Sequence, residues 1–162
     1  EDLQTGISLK RGNDEWNIHY VNTGVPHAVV FCNDVRQIDV GEWGEWIRNH
    51  EQFAPDGVNV DFVQVDFEGS LSLRTYEFGV EGETLACGTG AVASSIIAAM
   101  LYGWPAEYRN GQKAVKVAVK SGNILGVRFV TDDFTAIRDV CLDTKVTPVY
   151  EGTLDNEFFA RR

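Results

Sequence analysis

The sequence is short of cysteine, of positive charge and of long apolar runs, and each shortage excludes something. Three cysteines, Cys32, Cys87 and Cys141, are an odd number with no CxxC spacing, which argues against a disulfide framework and against a zinc site. Fourteen Lys and Arg stand against twenty-four Asp and Glu, a formal charge of -10, and no basic cluster exceeds a pair such as Arg161-Arg162. Such a balance disfavours nucleic acid or an anionic membrane as partner and favours a small soluble substrate. The longest apolar stretch, residues 91–102, is interrupted by Ser94 and Ser95 and falls short of the roughly 18 apolar residues of a membrane span. The cysteine usage makes a reducing cytoplasm the expected location; there is no N-x-S/T triplet, and the opening Glu1 has neither a basic start nor an apolar signal core after it. A beginning "EDLQTG" without Met leads us to expect that the true amino terminus lies elsewhere.

What is present is a chain of 162 residues, 44% apolar, enough for one compact domain with a real core. We expect a single domain over residues 1–152 and a charged tail over 153–162. Eight short runs rich in β-branched and aromatic residues read as strands: "WNIHYV", "AVVFC", "VNVDFVQV", "LSLRTYEF", "KAVKVAVK", "ILGVRFV", "AIRDVCL" and "TPVYEG". Ser121-Gly122-Asn123 supplies a hairpin turn after "KAVKVAVK". In "LSLRTYEFG" the strand period places Leu71, Leu73, Thr75 and Glu77 on one side of the pleat, an odd position for a carboxylate.

Two helices are expected. "VGEWGEWIRNHEQF" sets Trp43, Trp46, Ile47 and His50 on one stripe and reads as a surface helix lying on the sheet. Residues 90–102 are small or apolar all round, the pattern of an enclosed helix, ended by Gly103 and Pro105. Cys87 then lies just before the first turn. The amides of Gly88, Thr89, Gly90 and Ala91 would lack helical partners, present the positive end of the dipole to a carboxylate, and lower the thiol pKa. That geometry fits an amino acid held by its carboxylate while Cys87 takes the α-hydrogen as general base. Inversion then requires a second group on the opposite face. From these residues alone, a buried packing cysteine and a reactive thiol stand level for Cys87, whereas Cys32 and Cys141, inside strand patterns without glycine neighbours, read as structural.

"ETLACGTGA" closely resembles the second catalytic-cysteine motif of the diaminopimelate epimerase family. "TGVPHAVVF", "GVNVDFVQV", "LRTYEFGVEGET" and "TPVYEG" resemble other strands of that family, in family order, over residues 22–152. The resemblance corresponds to the carboxy-terminal half of such an enzyme. It implies an α+β fold with a mostly antiparallel, barrel-like sheet wrapped around a central helix, two such halves per enzyme and a site between them. It implies no cofactor and no metal; the amino-terminal half and a small amino-acid substrate are the implied partners, and a homodimer is allowed.

By the same resemblance Cys87 is one acid/base thiol, the Gly88 and Thr89 amides anchor the reacting carboxylate, His27 and Glu77 tune or orient the thiol, and Asn59 bonds the substrate's distal end. The chain departs from the family pattern at Val25, where the family has Asn, and at Phe78, where it has Arg. It also holds nothing like the family's first catalytic cysteine. These departures keep open an inactive carboxylate-binding or scaffold domain, or a related racemase or isomerase acting on another amino acid. The lack of G-x-x-x-x-G-K-[ST] excludes a P-loop, and a thiol hydrolase has no recognisable histidine partner motif.

Overall fold

A computed structural model describes residues 3–153. Strands β1 (Gln4–Arg11), β2 (Asp14–Asn22) and β3 (Pro26–Phe31) form an antiparallel run. The turn between β1 and β2 carries Gly12 at φ +64°, a conformation glycine adopts without the steric cost of a Cβ. Helix α1 (Val40–Arg48) then crosses to β4 (Asn59–Phe67), which pairs parallel with β3 and antiparallel with β5 (Ser70–Glu77). After the short β6 (Gly82–Glu83) comes α2 (Gly88–Leu101), the one-turn α3 (Ala106–Arg109), and β7 (Val115–Val119), parallel to β5. Two antiparallel strands, β8 (Ile124–Val130) and β9 (Arg138–Asp143), complete the sheet.

The nine strands thus form one mixed sheet with β1 and β9 at its ends, an α+β arrangement that does not close into a barrel among the described residues. Mostly antiparallel pairing holds, with parallel pairs only where a helix makes the crossover. Seven of the eight expected strand segments match strands in part or whole. "TPVYEG" does not: residues 144–153 have no strand partner and lie exposed. Strand β1 was not anticipated, because its exposed, largely polar "QTGISLKR" shows little apolar alternation. The expected tail lies outside the described residues from 154 onward.

Each face of the sheet carries one long helix and one core. On the first face α1 packs Val40, Gly44 and Ile47 against Val60, Phe62 and Tyr76, while Trp43 and Trp46 are only partly covered. Gly44 is required by this contact, since a Cβ there would overlap Tyr76. The helix stops at Arg48 and not near Phe53; Asn49 caps it, and a separate 3₁₀ turn, Glu51–Phe53, follows with His50 as its cap. On the second face α2 buries every residue from Gly90 to Ala99 against Val29, Val63, Leu71, Leu73, Val117 and Val127. This is the enclosed helix that its composition calls for. Among the described residues no helix is long and apolar enough to cross a membrane.

Candidate active site at the mouth of the enclosed helix

Strand alternation decides which side chains meet the amino-terminal end of α2. On β4, Val63 faces α2 whereas Val60 and Phe62 face α1, so Asn59 and Asp61 lie on the α2 side. The same parity places His27 of β3 there, two residues before Val29, and Thr75 and Glu77 of β5, in step with Leu71 and Leu73. Registers His27↔Asn59 and Asp61↔Thr75 gather these polar side chains at one end of three neighbouring strands.

Cys87 is the N-cap of α2, in extended conformation, with its Sγ accepting from the Gly90 N–H at 3.4 Å. The Ala91 N–H bonds the Cys87 carbonyl at 3.0 Å. Two of the four amides expected to be free are therefore used within the turn, and those of Gly88 and Thr89 remain without a partner among the described residues. These two are the donors available to an incoming carboxylate.

The thiol itself is less accessible than the sequence suggested, at 8% exposed. Burial and the Asp61 carboxylate push its pKa up to about 12, and Glu77 adds to this. The hydroxyl of Thr89 and the amide of Gly90 act the other way but do not win. The expected lowering of the thiol pKa is thus overturned: loss of hydration and two nearby carboxylates outweigh the turn's donors. Cys87 rests as a thiol. Cys32 is also pushed up, to about 11, first by burial, and lies just beyond β3 with its Sγ–H donated to the Val63 carbonyl. Cys141 is exposed on β9, away from any packed interior.

His27 is fully buried, and its ring reaches two partners. Nδ1 lies 2.6 Å from Asp61 Oδ2, and Nε2 lies 3.0 Å from Thr89 Oγ1, which in turn is 3.5 Å from Cys87 Sγ. Asp61, also fully buried, accepts at Oδ1 from the Thr75 hydroxyl at 2.7 Å. Glu77 is half-buried and accepts from the Thr84 hydroxyl at 2.7 Å. Asn59 is engaged by the neighbouring strand ends. Its amide donates to the Pro26 carbonyl at 3.2 Å and its oxygen accepts from the Phe78 N–H at 2.9 Å. It clips together the strand ends that carry His27 and Glu77.

Val25 and Phe78 are 39% and 50% exposed on this edge. The Arg48 guanidinium stacks on Phe78, 4.5 Å from the ring centroid, and is ion-paired with Glu81 at 3.0 Å. A cleft of about 420 Å³ lined by Tyr20, Pro26, Gln52, Phe53 and Phe78 opens beside them and does not reach Cys87. Asp61, Thr75 and the Thr89 hydroxyl escaped the sequence reading. The available signal was an acidic residue inside "VNVDFV", on the same parity as buried Val63.

An unpaired-amide turn capped by a thiol, backed by a buried histidine and carboxylate, is equipped for proton transfer at a carbon next to a bound carboxylate. Comparison with known sequences identifies the family. The family described as "Diaminopimelate epimerase" matches residues 19–133, and the chain belongs to that family. Diaminopimelate epimerase of Hydrogenobaculum sp. is 42% identical over 158 residues, covering 96% of this chain and 53% of the relative. That of Aquifex aeolicus is 43% identical over 141 residues, 85% of this chain and 46% of the relative, and that of Chlamydia muridarum 46% over 110 residues, 68% and 39%. The chain spans about half the length of the curated relatives it matches. Among solved structures, a Bacillus anthracis phenazine biosynthesis protein of the PhzF family aligns with a TM-score of 0.47 at 15% identity, over 72% of this chain and 34% of that one.

Proposed function

We propose that this chain is the carboxy-terminal half of a cofactor-independent diaminopimelate epimerase, an isomerase that interconverts the LL and meso forms, and that Cys87 is the acid/base thiol for one face of the α-carbon. The observation that carries this is the juxtaposition of Cys87 with the two unpartnered amides of Gly88 and Thr89 at the mouth of an enclosed helix. A substrate carboxylate on those amides sets the α-carbon beside the sulfur, and the donors hold the charge that develops when the α-hydrogen leaves. A thiol whose pKa is raised keeps its proton at neutral pH and so is fitted to deliver one to a carbanion. Microscopic reversibility makes the same sulfur the base for the opposite isomer. The second thiol comes from the amino-terminal half, because Cys32 is turned to the Val63 carbonyl and Cys141, which alternates with the Leu142 that meets Gly88, is on the other face of β9.

His27 and Glu77 orient and tune the thiol: His27 through Thr89, and Glu77 through its charge. Asn59 acts on substrate through the strand ends it holds. Phe78 and Val25 favour a second reading, in which the domain binds an amino-acid carboxylate without turnover or serves a substrate lacking a charged distal end. Arg48, the nearest cation to Phe78, is already paired with Glu81.

The test joins this chain to the amino-terminal half of the Aquifex aeolicus relative and measures conversion of LL- to meso-diaminopimelate. Conversion by the joined protein and none by the isolated chain is the expected result. Equal conversion by the isolated chain would contradict the two-half account, and binding without conversion would support the second reading.

A further inference from the structure

Three contacts join Asp61, His27, Thr89 and Cys87, and with Asp61 ionised and the His27 ring neutral they run in one direction. An ionised Asp61 only accepts, so Oδ2 takes the Nδ1–H of His27 and Oδ1 the Thr75 hydroxyl proton. With Nδ1 protonated, Nε2 of the neutral ring accepts the Thr89 hydroxyl, and the oxygen of Thr89 is free to accept the Cys87 S–H. Every donor has one acceptor. The carboxylate is pinned from two strands, and α2 closes over it so tightly that a Cβ on Gly90 would overlap it.

We propose that Asp61 is the positioning residue of a proton relay, Cys87–Thr89–His27, in which the Thr89 hydroxyl is the bridge. The proposal rests on Cys87 being an acid/base thiol, as above. In the step, the Cys87 S–H bond breaks as its proton passes to Thr89 Oγ1. The Thr89 O–H bond breaks as that hydroxyl's own proton passes to His27 Nε2. The products are a thiolate and an imidazolium facing the Asp61 carboxylate, with no net change of charge. The reverse step restores the thiol. The relay supplies what the pocket otherwise denies, a local acceptor for a proton that burial holds on sulfur.

Asp61 acts on Cys87 in two opposing ways, which makes the inference testable by sign. Through space its charge opposes the thiolate; through His27 it favours it, by stabilising the imidazolium. The measurement is the iodoacetamide alkylation rate of the Cys87 peptide in the chain carrying Cys141→Ser, followed by mass spectrometry, with unfolding midpoints for every variant.

At about pH 8, Asp61→Asn and Thr89→Val are each expected to slow alkylation about tenfold, the change in thiolate fraction for one pKa unit, while Thr89→Ser stays within about twofold of the parent. A packing role would move the midpoints and leave alkylation of the folded protein unchanged. Alkylation that is unchanged or faster in Asp61→Asn, the through-space outcome, would overturn the relay. If Asp61→Asn does not fold, Thr89→Val decides alone, and an unchanged rate there overturns it as well. Alkylation needs no substrate. Slowed alkylation with no isomer conversion by the joined protein therefore refutes the proposed function and leaves the relay standing, and the converse pair of results does the opposite.

Discussion

The two long helices make parallel-strand crossovers on opposite faces of one sheet, yet they begin differently. Helix α1 is capped by Asp39, whose carboxylate accepts from the Glu42 N–H at 2.9 Å, a strong and common solution for a surface helix. Helix α2 is capped by the sulfur of Cys87 at 3.4 Å, a weaker acceptor, and has no acidic residue in its first turn. Where α1 exposes a polar face, α2 is apolar and enclosed. The difference teaches that α2 is not capped for greatest stability: a sulfur holds the Gly90 amide where a carboxylate would hold it more strongly, and the Gly88 and Thr89 amides stay without a partner among the described residues.

The largest effect expected from this contrast concerns close packing under each helix. Gly90→Ala drives a methyl group into the Asp61 carboxylate, which two hydrogen bonds hold still, inside a helix with no room to retreat. We expect a loss of about 3 kcal/mol in urea unfolding, the upper range for overpacking. Gly44→Ala meets Tyr76, but α1 can shift outward toward solvent and gains helix propensity, so about 1–2 kcal/mol is expected there. Equal losses would remove the distinction between a locked helix and a movable one.

The caps give the next effect. Asp39→Ala is expected to cost about 1 kcal/mol, whereas Cys87→Ser, which places a better acceptor at the cap, is expected to hold or raise stability. A marked loss for Cys87→Ser would show that the sulfur is there for packing.

The smallest effect is on pH dependence. Folding raises the Cys87 pKa from its ordinary value near 9 to about 12, so between these values the unfolded chain has lost a proton that the folded chain keeps. The slope of stability with pH is then negative: the contribution is whole below about pH 9 and is lost as pH rises toward 12. Urea midpoints of Cys87→Ala should fall less steeply over that window than those of the parent. Cys32, raised to about 11 by burial and present in both proteins, cancels in the comparison.

Much of this was legible in the chain. The enclosed helix followed from ten consecutive small or apolar residues, and the inward Glu77 from simple alternation in "LSLRTYEF". The thiol at the helix mouth followed from Gly88-Thr89-Gly90. What escaped depended on distances between strands. The acidity of Cys87 is lowered first by burial and then by Asp61, twenty-six positions away in sequence and brought near only by strand register. The role of Asn59 as a clip depends on the ends of β3 and β5 lying on either side of it. Strand β1 is exposed and carries little apolar signal, and "TPVYEG" carries the signal without a described neighbour to pair with.

The account's central claim is that Cys87 exchanges a proton with the substrate's α-carbon. The joined protein should therefore be incubated with LL-diaminopimelate in deuterium oxide, and the α-position of the meso product read by mass spectrometry. Deuterium in the meso product of the parent, and no meso product from Cys87→Ala, is the predicted result. Inversion by Cys87→Ala at the parent's rate would contradict it.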